Sequence, residues 1–132
     1  MTFKAVLDAN VLVPARIRDV LMTLAEAGLY EPLWSAPILD ELHRHLPESM
    51  DAAARERLAA AMASAFPEAL VTWPDGLTFT QLHVVNRKDH RVVQAALCAE
   101  ADVIVTEDAR LRDEGDLLPE SLARRALSSR CA

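Results

Sequence analysis

Three glycines and two cysteines are all that this chain holds of either residue, and no apolar run reaches the roughly 18 residues that a membrane span requires. Cys98 and Cys131 share no CxxC or CxxxC grouping, so neither a zinc site nor a disulfide framework is expected. Cys98 falls in an Ala-rich helical stretch, where a small core residue is the natural reading. With no repeat and no Gly/Ser-rich linker, residues 1–132 are expected to form a single domain. Positive charge is also short: 14 Lys and Arg face 20 Asp and Glu, a formal net charge of −6. That disfavours binding to nucleic acid by bulk electrostatics. It does not exclude an acidic site whose negative charge awaits a Mg²⁺ ion. The N-terminus carries no basic-then-apolar leader, so a cytoplasmic location is expected.

What the sequence does contain is an alternation of short apolar runs with helical periodicities. Ala5 to Leu7 reads as a buried parallel strand, with Pro14 marking the exit. Ile17 to Leu29 has helical spacing at Val20, Leu21, Leu24 and Ala25, with Gly28 near its end. Ser35 suits the N-cap of a helix over Pro37–Leu46, closed by Pro47. Asp51 to Phe66 predicts an Ala-rich helix, and Ala69 to Trp73 a strand turned by Pro74-Asp75-Gly76. Phe79 to Val85 fits strand or loop. Lys88 to Glu100 predicts a helix, Val103 to Thr106 a strand, and Pro119 to Leu127 a final helix after a "DEGD" loop. The order describes an α/β domain with a mostly parallel sheet.

The informative acidic residues are those that exposure does not explain. Asp8 and Asp108 both follow strand runs, at the carboxyl ends where open α/β sheets bind ligands. Each can equally be a helix cap or turn residue. Projecting Pro37–Leu46 at about 100° per residue puts Ile38, Leu39, Leu42 and Leu46 on one stripe. Asp40 points away from that stripe, whereas Glu41 lies at its border with His45 on the same side. Glu41 therefore either reaches into a cleft or pairs in solvent with Arg44 or His45. In Lys88–Glu100 the inward face is Val92, Val93, Ala96, Leu97 and Ala99, and Asp89 shares it at the first turn, where capping is the competing reading. Asp8, Glu41, Asp89 and Asp108 form a candidate cluster, with Asn10 and Thr106 as neutral oxygen donors. An all-oxygen set suits Mg²⁺ or Mn²⁺ rather than zinc. His43, His45, His83 and His90 lack zinc spacing. Four carboxylates in one pocket need a cation to stay ionised together. The usual work of such an ion is phosphodiester hydrolysis.

Taken in order, "VLDANVLVPA", "WSAPILDELHRHL", "NRKDHRVVQAAL" and "ADVIVTEDARL" resemble the blocks of a PIN domain over about residues 3–112. The resemblance implies a three-layer α/β sandwich with a central, mostly parallel sheet of four or five strands flanked by helices. It also implies a Mg²⁺- or Mn²⁺-dependent ribonuclease, a hydrolase acting on ester bonds. Small bacterial members are commonly VapC-type toxins of type II toxin-antitoxin pairs, each neutralised by a cognate antitoxin. By position, Asp8, Glu41, Asp89 and Asp108 match the family's acidic quartet, with Asp8, Asp89 and Asp108 as metal ligands and Asn10 and Thr106 in support. RNA contact then falls to Arg16 and Arg18, or to Arg87, Lys88 and Arg91. Tyr30 and Trp34, with the Ile17–Leu29 helix, are either an apolar groove for the antitoxin or plain core. The tail from residue 109 departs from the family: it has no β-branched run for a last edge strand, or for the homodimer surface such a strand would help to build. An inert PIN-fold interaction module is the competing reading. Phosphoryl transfer onto Asp8 is excluded, because the DxDx[TV] pattern it needs is broken by Asn10.

Overall fold

The computed structural model describes residues 2–73, 90–108 and 126–128. Among them, five strands form one sheet in the order β3-β2-β1-β4-β5, every pair parallel. The strands are β1 (Lys4–Leu7), β2 (Glu31–Ser35), β3 (Leu70–Val71), β4 (Val103–Thr106) and β5 (Ala126–Ser128). The helices are α1 (Ala9–Leu12), α2 (Ala15–Glu26), α3 (Ala36–His45), α4 (Ala52–Ala65) and α5 (His90–Ala99). This is the α/β sheet flanked by helices that the sequence predicts.

Strand β1 lies at the centre, with Val6 opposite Leu33 on one side and Ile104 on the other. The side chains of Val6, Leu7, Leu12, Ile38, Leu42, Val93 and Ile104 are fully buried. Each such side chain contributes about 1.5–3 kcal/mol of hydrophobic stabilisation. Trp34 belongs to this core and meets Phe66 edge-on, ring centroids 6.1 Å apart. Tyr30 is half-buried, donates its hydroxyl to the Leu21 carbonyl at 2.7 Å, and is pushed up to about 12 by that burial. Of the two readings of these aromatics, core is therefore the one observed.

Strand β2 was not legible in the sequence because "EPLWS" carries a proline, which ordinarily marks a strand as an edge. The ladder shows why Pro32 is tolerated. Glu31 donates its N–H to Phe3 on the β1 side and Trp34 donates to Ala69 on the β3 side. Successive residues alternate, so the missing N–H of Pro32 faces the β3 side. Strand β3 pairs only from Trp34 onward, and no ladder bond is lost.

Helix α2 ends two residues before Gly28, whose φ of +80° suits the left-handed turn that returns Leu29 N–H to Leu24. Its inward face is Ile17, Leu21 and Ala25 with Arg18 and Met22. Val20 and Leu24, counted on the apolar face in the sequence reading, are exposed. Cys98 is only partly buried. The tail brings a second correction. Ala126 and Leu127, placed at the end of a predicted helix, belong to β5, paired with Ile104 and Val105. Three residues of poor strand propensity suffice there because backbone pairing to β4 supplies the context that propensity lacks. Residues 79–85, the "DEGD" loop and residues 119–125 lie outside the described residues.

Candidate active site

Strands β1, β2 and β3 build the sheet outward in one direction, and β4 and β5 build it in the other. The reversal falls between β1 and β4, and the crevice beyond the carboxyl ends of those two strands is where parallel sheets accept ligands. Leu7 is registered opposite Val105, and the Asp8 N–H continues the ladder to the Val105 carbonyl at 3.0 Å. Residue 8 thus arrives beside residue 106.

Asp8 does two jobs. Its Oδ1 accepts from the Ala9 N–H at 2.7 Å and caps α1, so the capping reading is correct as far as it goes. Its Oδ2 accepts from the Thr106 hydroxyl at 2.8 Å and from Asn10 Nδ2 at 3.3 Å. Thr106, fully buried, spends its one proton on Asp8 and accepts from Asn10 Nδ2 at 3.1 Å and from the Asp108 N–H at 3.0 Å. Asn10 Oδ1 takes the Glu107 N–H at 2.9 Å. Asn10 and Thr106 therefore lock Asp8 in one rotamer and tie the start of α1 to the end of β4.

The carboxylate at the centre is 94% hidden, since only 6% of Asp8 is accessible. Burial pushes its pKa above the ordinary value, the Thr106 and Ala9 hydrogen bonds pull it down, and the negative charges of Glu41 and Asp108 push it up again. The last two contributions place Glu41 and Asp108 in the same electrostatic neighbourhood. Glu41 reaches it because α3 packs on α1, with Ile38 and Leu42 buried, Asp40 exposed and Glu41 half-buried at the stripe's edge. Asp108 is likewise half-buried.

The charges of Glu41 and Asp108 thus both act on Asp8, and Asp89 lies outside the described residues together with Arg87 and Lys88. Among the described residues no three His, Cys, Asp or Glu side chains stand close enough to hold a metal ion by themselves. The donor chemistry nevertheless fits a hard divalent cation, because the carboxylate oxygens of Asp8, Glu41 and Asp108 are hard ligands and the negative charges of Glu41 and Asp108 acting on Asp8 call for a counter-charge.

Two roles escaped the sequence reading. Arg18, expected at an RNA surface, is 92% hidden and donates from Nη1 to the Leu12 and Val13 carbonyls at 2.8 and 3.2 Å. It satisfies the C-terminal end of α1, and burial removes it from the surface. Arg16 and Arg91 are exposed. His45 holds its Nδ1 2.9 Å from the Glu41 carbonyl. It lines, with Glu41, Asn10, Ala9, Val13 and Pro14, an open cleft of about 250 Å³ beside the acidic crevice. The sequence signal for that cleft is the i, i+4 spacing of Glu41 and His45.

The parallel α/β sheet, with Asp8 held by Thr106 at its switch point, defines the class. The chain belongs to the PIN-domain family, which matches it over residues 4–110. In a comparison with curated proteins, none matched the chain. Family membership carries a nuclease-type function, the hydrolysis of nucleic acid, typically with divalent metal ions. No helix among the described residues is long and apolar enough to cross a membrane.

Proposed function

We propose that the chain is a Mg²⁺- or Mn²⁺-dependent endoribonuclease that hydrolyses RNA phosphodiester bonds, and that it serves as the toxin of a type II toxin-antitoxin pair. The observation that carries the catalytic reading is the buried Asp8 carboxylate. It is held by Thr106 and Asn10 at the β1–β4 switch point and sits in the field of Glu41 and Asp108. Asp8 and Asp108 would hold the ion, with Asp89 as the third ligand implied by the family. When bound, the ion supplies an activated water and neutralises charge at the phosphate. Thr106 and Asn10 hold Asp8 in one rotamer, which preserves ligand geometry without reorganisation. Glu41 adds negative charge that favours cation entry. Arg16 and Arg91, exposed, are available to the RNA backbone, as Arg87 and Lys88 are on sequence grounds. The VapC-like reading brings with it a cognate antitoxin, a cytoplasmic setting and a homodimer.

The test is cleavage of a single-stranded RNA oligonucleotide by the purified chain with Mn²⁺ or Mg²⁺. Asp8→Asn is expected to lower kcat/KM by at least about a hundredfold, as loss of one charged catalytic group does. Equal rates overturn the assignment. The alternative, an inert PIN-fold interaction module, draws on the formal net charge of −6, which disfavours docking of RNA by bulk electrostatics. Calorimetric titration with Mn²⁺ separates the two, since only the nuclease binds the ion in a manner that Asp8→Asn abolishes.

A further inference from the structure

The cleft between α1 and α3 is not needed to hold a metal ion, yet it opens beside Asp8 and shares Asn10 and Glu41 with the crevice. Its floor is apolar: Ala9, Val13 and Pro14. Its volume of about 250 Å³ is below the roughly 300–1,000 Å³ typical of sites for drug-sized ligands, which suits one small planar ring and excludes a helix. The polar equipment is limited. Asn10 is spent at both ends, on Glu107 N–H and on Asp8 and Thr106. That leaves Glu41 and His45 to recognise anything that enters.

The imidazole is oriented. A carbonyl oxygen only accepts, so the 2.9 Å contact makes His45 Nδ1 the donor to the Glu41 carbonyl and leaves Nε2 for a ligand. Charge then decides between the parts of a nucleotide. Glu41 lines the cleft, and its negative charge opposes a phosphate entering here without a cation, whereas a neutral base meets no such penalty. Unpaired bases are also what single-strand readers splay out and stack on rings.

We propose that this cleft is a nucleobase subsite, resting on the nuclease reading. It takes one unpaired base flanking the scissile phosphate, against Pro14 and the His45 imidazole, and so contributes to substrate choice. The site requires single-stranded RNA, because a base held in a duplex cannot enter the cleft.

The experiment is an abasic scan. A fluorescein-labelled 12-nucleotide single-stranded RNA is prepared with one abasic residue at each position in turn. Binding is measured by anisotropy to the full-length Asp8→Asn chain, which does not depend on cleavage, and to the Asp8→Asn, His45→Ala double variant. One abasic position is expected to weaken binding about fivefold to tenfold in the first protein, the scale of losing one stacked base, and to have no effect in the second. A flat scan, a penalty unchanged by His45→Ala, or no binding of any of these RNAs overturns the subsite. Cleavage by the unaltered chain is scored separately: a His45-dependent abasic position in a chain that does not cut RNA keeps the subsite and overturns the nuclease. Matching circular dichroism melts of both variants show that any loss is local, as expected for an exposed side chain.

Discussion

At the residue scale the chain keeps a charge where burial opposes it. Asp8 is held above its ordinary value of 3.8 chiefly by burial, so the folded chain binds a proton there more tightly than the unfolded chain. The neutral acid stabilises the fold fully below about 3.8, and that contribution is lost as pH rises through the folded-state value. Above that value the ionised carboxylate costs stability. Asp8→Asn keeps the shape and the Ala9 cap without the charge. In metal-free buffer its Tm should exceed that of the unaltered chain near pH 7, with the gap closing as pH falls towards 4. Scanning calorimetry across that range checks it, and a variant less stable at pH 7 would remove the electrostatic account. Asp8 was legible in the sequence because a carboxylate ending a buried run is anomalous on its face. Arg18 was not, because nothing in "ARIRDV" says which way an arginine will turn once α1 ends beside it.

At the scale of elements, placement of the site depends on how α3 is anchored. Arg55 reaches back from α4 and donates to four carbonyls, those of His43, Leu46, Pro47 and Met50, at 2.8–3.3 Å. It thereby closes the C-terminal end of the helix that carries Glu41 and His45. Arg55→Ala should destabilise the fold by about 2 kcal/mol, the scale of losing hydrogen bonds from a charged donor, read as a lower urea midpoint at unchanged slope. A midpoint shift within error would mean that water replaces the guanidinium at no cost. Helices were the legible elements: α3, α4 and α5 lie within two residues of their predicted bounds wherever the chain is described. Their caps announce them, as Ser35 and Asp51 show by accepting from Ile38 and Ala54 N–H. Strands β2 and β5 and the single turn α1 were not legible, because each is decided by a partner. Pro32 is harmless only where β3 has not begun, and "ALS" is a strand only beside β4.

On the scale of the whole molecule, the proposed site draws on residues 8, 10, 41, 106 and 108, and the charges of Glu41 and Asp108 on Asp8 are a repulsion that a bound cation would relieve. Mn²⁺ should therefore raise the Tm of the unaltered chain, by the equivalent of about 2.7 kcal/mol at a hundred times its dissociation constant, and leave Asp8→Asn unmoved. Thermal melts over a Mn²⁺ series read this directly, and an equal rise in both proteins would place the ion elsewhere. The sequence by itself determined the α/β class, the helices α3, α4 and α5 and the identity of Asp8, Asn10, Glu41, Thr106 and Asp108 as the residues to watch, because local periodicity and misplaced polarity are written along the chain. Only the tertiary structure decided that Asp8 meets Thr106 across 98 residues, that β1 and β4 flank the switch point, and that Arg18 turns inward while His45 faces a cleft. Register and helix packing are set by contacts between distant segments, and no local stretch of sequence encodes them.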